Sequence, residues 1–374
     1  MLRDYMINVG FTDDDVSLVL NSYSLIRYKE ETLRLKVREI YEYLLSYGYS
    51  IDNIVKMTRK FPQIYSYSVS NIKLKLVYFK QLGYSKENII RMTKKLPQMF
   101  GMSIEFMDLR MMDLVGLGLS LKNVKKMIVG CPQLYSYSME NFHKKIFDMV
   151  ELGYTKEQVL KMFVEHSLLC SYSIDNIKIR MNALMALGYS KKDVIFLTKN
   201  LPNLYSLSIE CIRKKIVDRM ALGYSYDEVL DMTKRTPAIY SYSVSYMKKK
   251  IDDMVFLGFN REQVIEITLS FPGIYSLTIE NITMKKKFYD YLGIGNIIVV
   301  DPKKLMQSVE LSYARYMYYQ FIGKEIDISN YSLLFLDQNR FEKRYGKNNK
   351  DLIDEFNFDG DLQALDVGKR RVKK

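Results

Sequence analysis

Residues 132–170 read PQLYSYSMENFHKKIFDMVELGYTKEQVLKMFVEHSLLC, and most of this stretch returns 35 residues earlier and 35 residues later. Within it, Met139, Phe142, Ile146, Met149 and Val150 recur at the spacing of one helical face. Ser138 stands where an N-cap is needed, and Glu140 falls in the first turn, where the helix dipole favours an acid. Gly153 ends this first helix, since glycine takes a left-handed C-terminal cap at no steric cost. Thr155 with Gln158 forms a capping box for a second helix, whose buried stripe is Val159, Leu160 and Met162. Ser225 with Glu228 and Asn260 with Gln263 repeat that arrangement.

Six prolines, Pro62, Pro97, Pro132, Pro202, Pro237 and Pro272, lie on one 35-residue lattice, and Ser167 fills its single vacancy. Each proline stops the second helix, because it lacks an N–H and clashes with the preceding turn. Gly48, Gly83, Gly118, Gly153, Gly188, Gly223, Gly258 and Gly293 share the period without insertion or deletion. A fixed period of this length is the mark of a repeat array, in which stacked units bury what no unit buries alone. The Tyr-Ser-Tyr-Ser connector is too short for an α-helix and reads as a 3₁₀ turn. The expected fold is therefore all-α, a superhelical solenoid of either hand with about seven 35-residue repeats of two helices plus a 3₁₀ turn.

The ends are irregular. Residues 1–47 read as an N-terminal half-repeat, opening at Gly10-Phe11-Thr12, and an irregular first repeat; residues 48–295 are the regular array. After Gly293 the pattern dissolves, and 296–345 are expected to form a helical cap around Leu305, Val309, Tyr313, Met317 and Phe321. Residues 346–374 turn polar, end in bases and are expected to be disordered.

The 374 residues carry 56 Lys and Arg against 43 Asp and Glu, a formal charge of +13 that directs attention to polyanions, nucleic acid before anionic membrane. Cys131, Cys170 and Cys211 have neither disulfide nor zinc spacing, and the first two occupy core positions. Residues 1–20 contain Asp4, Asp13, Asp14 and Asp15 and resemble neither a secretory signal nor a transit peptide. The expected location is the cytoplasm or another reducing, non-secreted compartment, with organelle import unsupported by the N-terminus. No apolar run is long enough to span a bilayer.

One unit position is basic in all seven copies: Lys75, Arg110, Lys145, Arg180, Lys215, Lys250 and Lys285. It lies beside the apolar stripe of the first helix, and stacking aligns it into a row suited to a phosphate backbone. The competing reading is structural: Asp113, Asp148, Asp218 and Asp253 stand three residues later, at salt-bridge spacing, and long basic stems shield apolar seams. Tyr65, Tyr135, Tyr205, Tyr240 and Tyr275 belong to inter-repeat packing, whereas Tyr67, Tyr137, Tyr172 and Tyr242 are candidates for base stacking. Phe106, Cys211 and Tyr246 depart from the other copies and are candidate readout positions. No catalytic or metal-ligating constellation is present; His143 and His166 each replace a different residue type in the sister repeats. No cofactor is implied, and the chain does not read as an enzyme.

The proline ending each second helix, the leucine before the mid-unit glycine (Leu82, Leu152, Leu187, Leu222) and the Leu/Phe-Pro junction resemble the mitochondrial transcription termination factor family over roughly residues 10–295. The resemblance implies a two-helices-plus-3₁₀-turn solenoid whose basic groove accepts double-stranded DNA, or RNA in some members. The expected function is nucleic-acid binding, duplex DNA ahead of RNA, with a role in transcription regulation. The alternatives are a solenoid scaffold with a protein partner on its concave face, and an RNA-binding repeat protein.

Overall fold

The structure is a computed structural model and describes residues 1–356. Among these it contains α-helices and 3₁₀ helices and no β-strand. The chain divides into two compact units, residues 1–186 with 190–207, and residues 187–189 with 208 onward.

The first unit holds α1 (Leu2–Asn8), α2 (Asp13–Leu20), α3 (Glu30–Tyr47), α4 (Ile51–Lys60), α5 (Val69–Gln81), α6 (Lys86–Lys95), α7 (Ile104–Gly116), α8 (Leu121–Gly130), α9 (Met139–Glu151), α10 (Lys156–Glu165), α11 (Ile174–Met185) and α12 (Lys191–Asn200). From α3 onward odd numbers are first helices and even numbers second helices. After each second helix a 3₁₀ helix begins at the lattice proline, as at Pro62–Ser66 and Pro97–Gly101. Ser167 opens its 3₁₀ helix as the prolines do. N-cap side chains accept the predicted N3 bonds at Ser138 and Thr155, and Thr155–Gln158 closes its capping box.

The second unit holds α13 (Ile209–Met220), α14 (Tyr226–Arg235), α15 (Val244–Phe256), α16 (Arg261–Ser270), α17 (Ile279–Tyr291), α18 (Ile297–Val300), α19 (Val309–Phe321), α20 (Gln338–Tyr345) and α21 (Asn349–Glu355). Its end differs from the sequence expectation. The segment read as an irregular cap begins with one more repeat: Pro302, Ser308, Arg315 and Gly323 follow Pro272, Thr278, Lys285 and Gly293 by 30 residues each. The five missing residues come from the second helix, for α18 has only four. Changing the period while keeping the order hid this unit from a 35-residue lattice. The cap proper is α20 and α21, with Phe341, Tyr345 and Phe356 set against Tyr318 of α19. Residues 349–355, part of the tail expected to be disordered, are helical, and 357–374 lie outside the described residues.

What joins one repeat to the next is apolar stacking plus a buried polar triad. The tyrosine after the mid-unit glycine meets a threonine 44 residues on and the connector tyrosine 51 residues on. Tyr154 Oη lies 2.6 Å from both Thr198 Oγ1 and Tyr205 Oη; Tyr189 does the same with Thr233 and Tyr240. Tyr224 lies 2.7 Å from Thr268 and 2.6 Å from Tyr275. Burial first of all holds these phenols protonated, raising the pKa of Tyr189, Tyr205 and Tyr275. Where the first tyrosine is Leu119, the partners are Phe163 and Cys170, all buried, so the triad switches wholesale from polar to apolar.

At the N-terminus the buried Asp15 closes a capping box with Thr12 and accepts two bonds from Arg59 of α4, at 2.6 and 3.0 Å. The Arg59 guanidinium holds this carboxyl at about 2, with Thr12 helping against burial.

Three outcomes test these contacts. Gly188 has φ +99°, and an added Cβ would stand 3.1 Å from Leu230 Cδ1; Gly188→Val should cost roughly 1 kcal/mol or more in denaturant unfolding. Ser167→Pro should leave the melting temperature nearly unchanged, because Ser167 occupies the first 3₁₀ position, where proline fits. Asp15 binds its proton more weakly folded than unfolded, so its pair stabilises fully above about pH 4 and fades as pH falls toward 2. Asp15→Asn should accordingly lower the melting temperature at pH 7 and much less at pH 2.

Candidate nucleic-acid interface

Five of the seven bases of the first-helix row, Lys145, Arg180, Lys215, Lys250 and Lys285, donate to a connector carbonyl. From these first helices the side chain runs along the seam toward the next connector, where a 3₁₀ helix leaves main-chain carbonyls unpaired. Lys145 donates to the Cys170 carbonyl, Arg180 Nη1 to that of Leu207 at 2.6 Å, and Lys215 Nζ to that of Tyr240 at 3.0 Å. Lys250 donates to the Leu277 carbonyl and Lys285 Nζ to that of Leu305 at 2.5 Å. Lys75, Lys250 and Lys285 are only 5%, 4% and 2% exposed. Burial lowers the pKa of Lys75, Lys145 and Lys285. The anticipated ion pair with an acid three residues on forms at Arg110–Asp113, 3.3 Å. Lys145 also lines a cleft of about 370 Å³ with Tyr137, Asn141 and Tyr172.

Two further bases extend this bonding pattern and were not singled out in the sequence. Arg315 stands at the row's position in the shortened repeat; it donates to the Leu334 and Leu336 carbonyls and to Asn349 Oδ1. Arg219, four residues past Lys215, bonds the Lys215, Ile239 and Tyr242 carbonyls and is 1% exposed. The 30-residue step concealed the first. The second occupies a position that is apolar in the other full repeats, such as Met149 and Met254, and so read as core.

The connector tyrosines Tyr65, Tyr135, Tyr205, Tyr240 and Tyr275 are buried to within about 1%. Tyr67, Tyr137, Tyr172 and Tyr242 are half-buried. Tyr172 hydrogen-bonds Ser206 and lies under Arg180, and Tyr242 stacks on Tyr246 at 5.4 Å. Among the described residues no group of His, Cys, Asp and Glu comes together as a metal site.

Open positive charge lies on the second helices. In the first unit, α4, α6, α8, α10 and α12 together carry fifteen Lys and Arg against five Asp and Glu. In the second unit, α14 and α16 carry three bases against five acids. The sixth position of the second helix shows the change plainly. Lys56, Arg91, Lys126 and Lys161 are exposed bases; Phe196 follows, and then the exposed acids Asp231 and Glu266.

Paired helices joined through buried seams, with one strongly basic helix face in the first unit, define a helical repeat protein. The mTERF family model matches residues 36–151, 144–220 and 217–342, and the chain belongs to the mTERF family of nucleic-acid-binding helical repeat proteins. No curated protein matches the chain. No described helix is long and apolar enough to cross a membrane.

Removing a base of the row strands a carbonyl in a seam. Lys285→Gln, too short to reach the Leu305 carbonyl, should lower unfolding free energy by about 1–3 kcal/mol, measured by denaturant titration.

Proposed function

We propose that this protein binds double-stranded DNA, ahead of RNA, through the second-helix face of its first unit, and that it regulates transcription by doing so. The observation that carries the reading is the concentration of fifteen bases against five acids on α4, α6, α8, α10 and α12. A duplex is held mainly by neutralised phosphates, and exposed lysines on successive helices meet that need. Single strands are gripped by aromatic platforms; of the half-buried connector tyrosines that could supply them, Tyr172 is bonded to Ser206 and Tyr242 is stacked on Tyr246. The first-helix row then serves the stack, with the charges from Lys145 to Lys285 directed at carbonyls.

A second reading rests on a different surface. First helices of the first unit expose Leu109 and Met112, each 62%, Phe147 at 62% and Ile179 at 64%. Apolar residues exposed repeatedly along one face mark a protein-interaction surface. Purified protein with no affinity for duplex, single strand or RNA at low salt would give this reading precedence.

Two quadruple variants decide between the basic surfaces. Changing Lys56, Lys161, Lys192 and Lys199 to Gln should weaken duplex binding across sequences. The salt slope should shrink by up to about 0.9 for each phosphate no longer neutralised. Changing Lys145, Arg180, Lys215 and Lys250 to Gln should lower the melting temperature and leave the slope of the folded protein unchanged. The opposite pattern would move the phosphate contacts to the first-helix row.

A further inference from the structure

The second helices of the first unit also line an open-sided cavity of about 670 Å³, formed by α6 and the loop before it, α8, and the end of α10 with the turn that follows. Five bases line it: Arg91 and Lys95 from α6, and Lys122, Lys125 and Lys126 from α8. None of them is ion-paired among the described residues. The one acid in the wall, Glu165, faces Lys161 at 3.7 Å. Lys95 donates to the Gly130 carbonyl at 2.8 Å, and its pKa is lowered by burial and then by the neighbouring Arg91, Lys60 and Lys94. Like charges gathered in a partly closed space repel one another, which costs stability unless an anion joins them.

The cavity is also where the repeat breaks its own rules. Lys122 occupies a second-helix position that is acidic in five sister copies: Asp52, Glu87, Glu157, Asp227 and Glu262. Lys125 occupies one that is aliphatic in the other six, as at Ile90 and Leu160. Gly130 ends α8 where the sister helices end in a side chain, and Ser167 fills the proline vacancy. These last two meet. A Cβ on Gly130 would lie 2.6 Å from Ser167 Oγ and 2.7 Å from Ser167 Cβ, so only glycine allows the approach seen at this corner. Four departures from the repeat therefore converge on one wall. Stacking alone does not call for this combination, since the sister copies stack without it.

We propose that this cavity binds a clustered-phosphate group: the 5′-polyphosphate end of a nucleic-acid strand or a free polyphosphate anion. A single backbone phosphodiester carries one charge and needs no cavity. Five cationic side chains lining one space of ligand size match several phosphates held close together. The assignment adds to the duplex interface a site of its own, and it stands on the cavity rather than on the wider basic face.

The probes are inorganic tripolyphosphate and one duplex carrying either 5′-triphosphate or 5′-hydroxyl ends. They are measured by calorimetry and by competition against the full-length protein. The paired variant Lys122→Glu with Lys125→Ile restores residues that the sister repeats already use, so its melting temperature should stay close to wild type. It should lose at least about tenfold in affinity for the clustered phosphate. Glu165→Gln should move affinity the other way. Tripolyphosphate bound by wild type and released by the paired variant assigns a free anion. A gain for the triphosphate-ended duplex alone, abolished in the same variant, assigns a strand end. No tripolyphosphate binding together with equal affinity for both duplexes overturns the proposal, even if the duplex itself binds well. Conversely, tripolyphosphate binding by a protein with no affinity for the hydroxyl-ended duplex would sink the duplex reading and leave this site standing.

Discussion

A 3₁₀ helix packed between two repeats leaves carbonyls at its C-terminal end that water cannot reach freely, and something must donate to them. In this protein the donor comes from the repeat before. Lys145, Arg180, Lys215, Lys250 and Lys285 each reach from a first helix to a carbonyl of the following connector, and Arg315 does the same in the shortened repeat. A long flexible base suits the task, because its stem crosses the apolar seam and only its tip is polar. The connector thereby becomes a joint that each repeat completes for the next, which is why the position admits Lys or Arg and little else.

The same constraint governs the tyrosines. A hydroxyl buried between repeats needs a partner, and the partners lie 44 and 51 residues away, in the next unit's second helix and connector. Tyr154, Thr198 and Tyr205 satisfy one another; Leu119, Phe163 and Cys170 make no such demand. A mixed set also occurs: Tyr49 bonds Thr93 while Phe100 holds the connector position, so the two hydroxyls still satisfy each other.

Much of the fold was legible in the sequence because its signals are local. Proline, N-cap serine and mid-unit glycine each act within one turn of chain, and Ser138, Thr155 and Gly188 all do in the structure what their residue type requires. The additional repeat from 296 to 323 was not legible, because shortening the second helix to Ile297–Val300 shifted every later marker by five residues at once. The row's carbonyl partners were hidden for a related reason. Sequence spacing exposed the acids three residues away, such as Asp148 and Asp218, while the acceptors Cys170 and Tyr240 lie 25 residues ahead on a connector whose direction only the fold supplies.

Regularity and function pull a repeat protein in opposite directions. A position that is the same in every unit answers a need that recurs in every unit, and stacking is the need that always recurs. The uniform row from Lys75 to Lys285 fits that description, and from Lys145 onward its donors meet connector carbonyls. A ligand, by contrast, meets some units and not others, so the residues that hold it should break the pattern. Exposed positions do so here: the sixth residue of the second helix runs from Lys56 through Lys161 as base and becomes Asp231 and Glu266 later in the chain. A solenoid built only to stack gains nothing from that reversal. It becomes intelligible if one stretch of second helices faces a polyanion and another does not, since acids opposite phosphates would be repelled and bases elsewhere would bind without purpose.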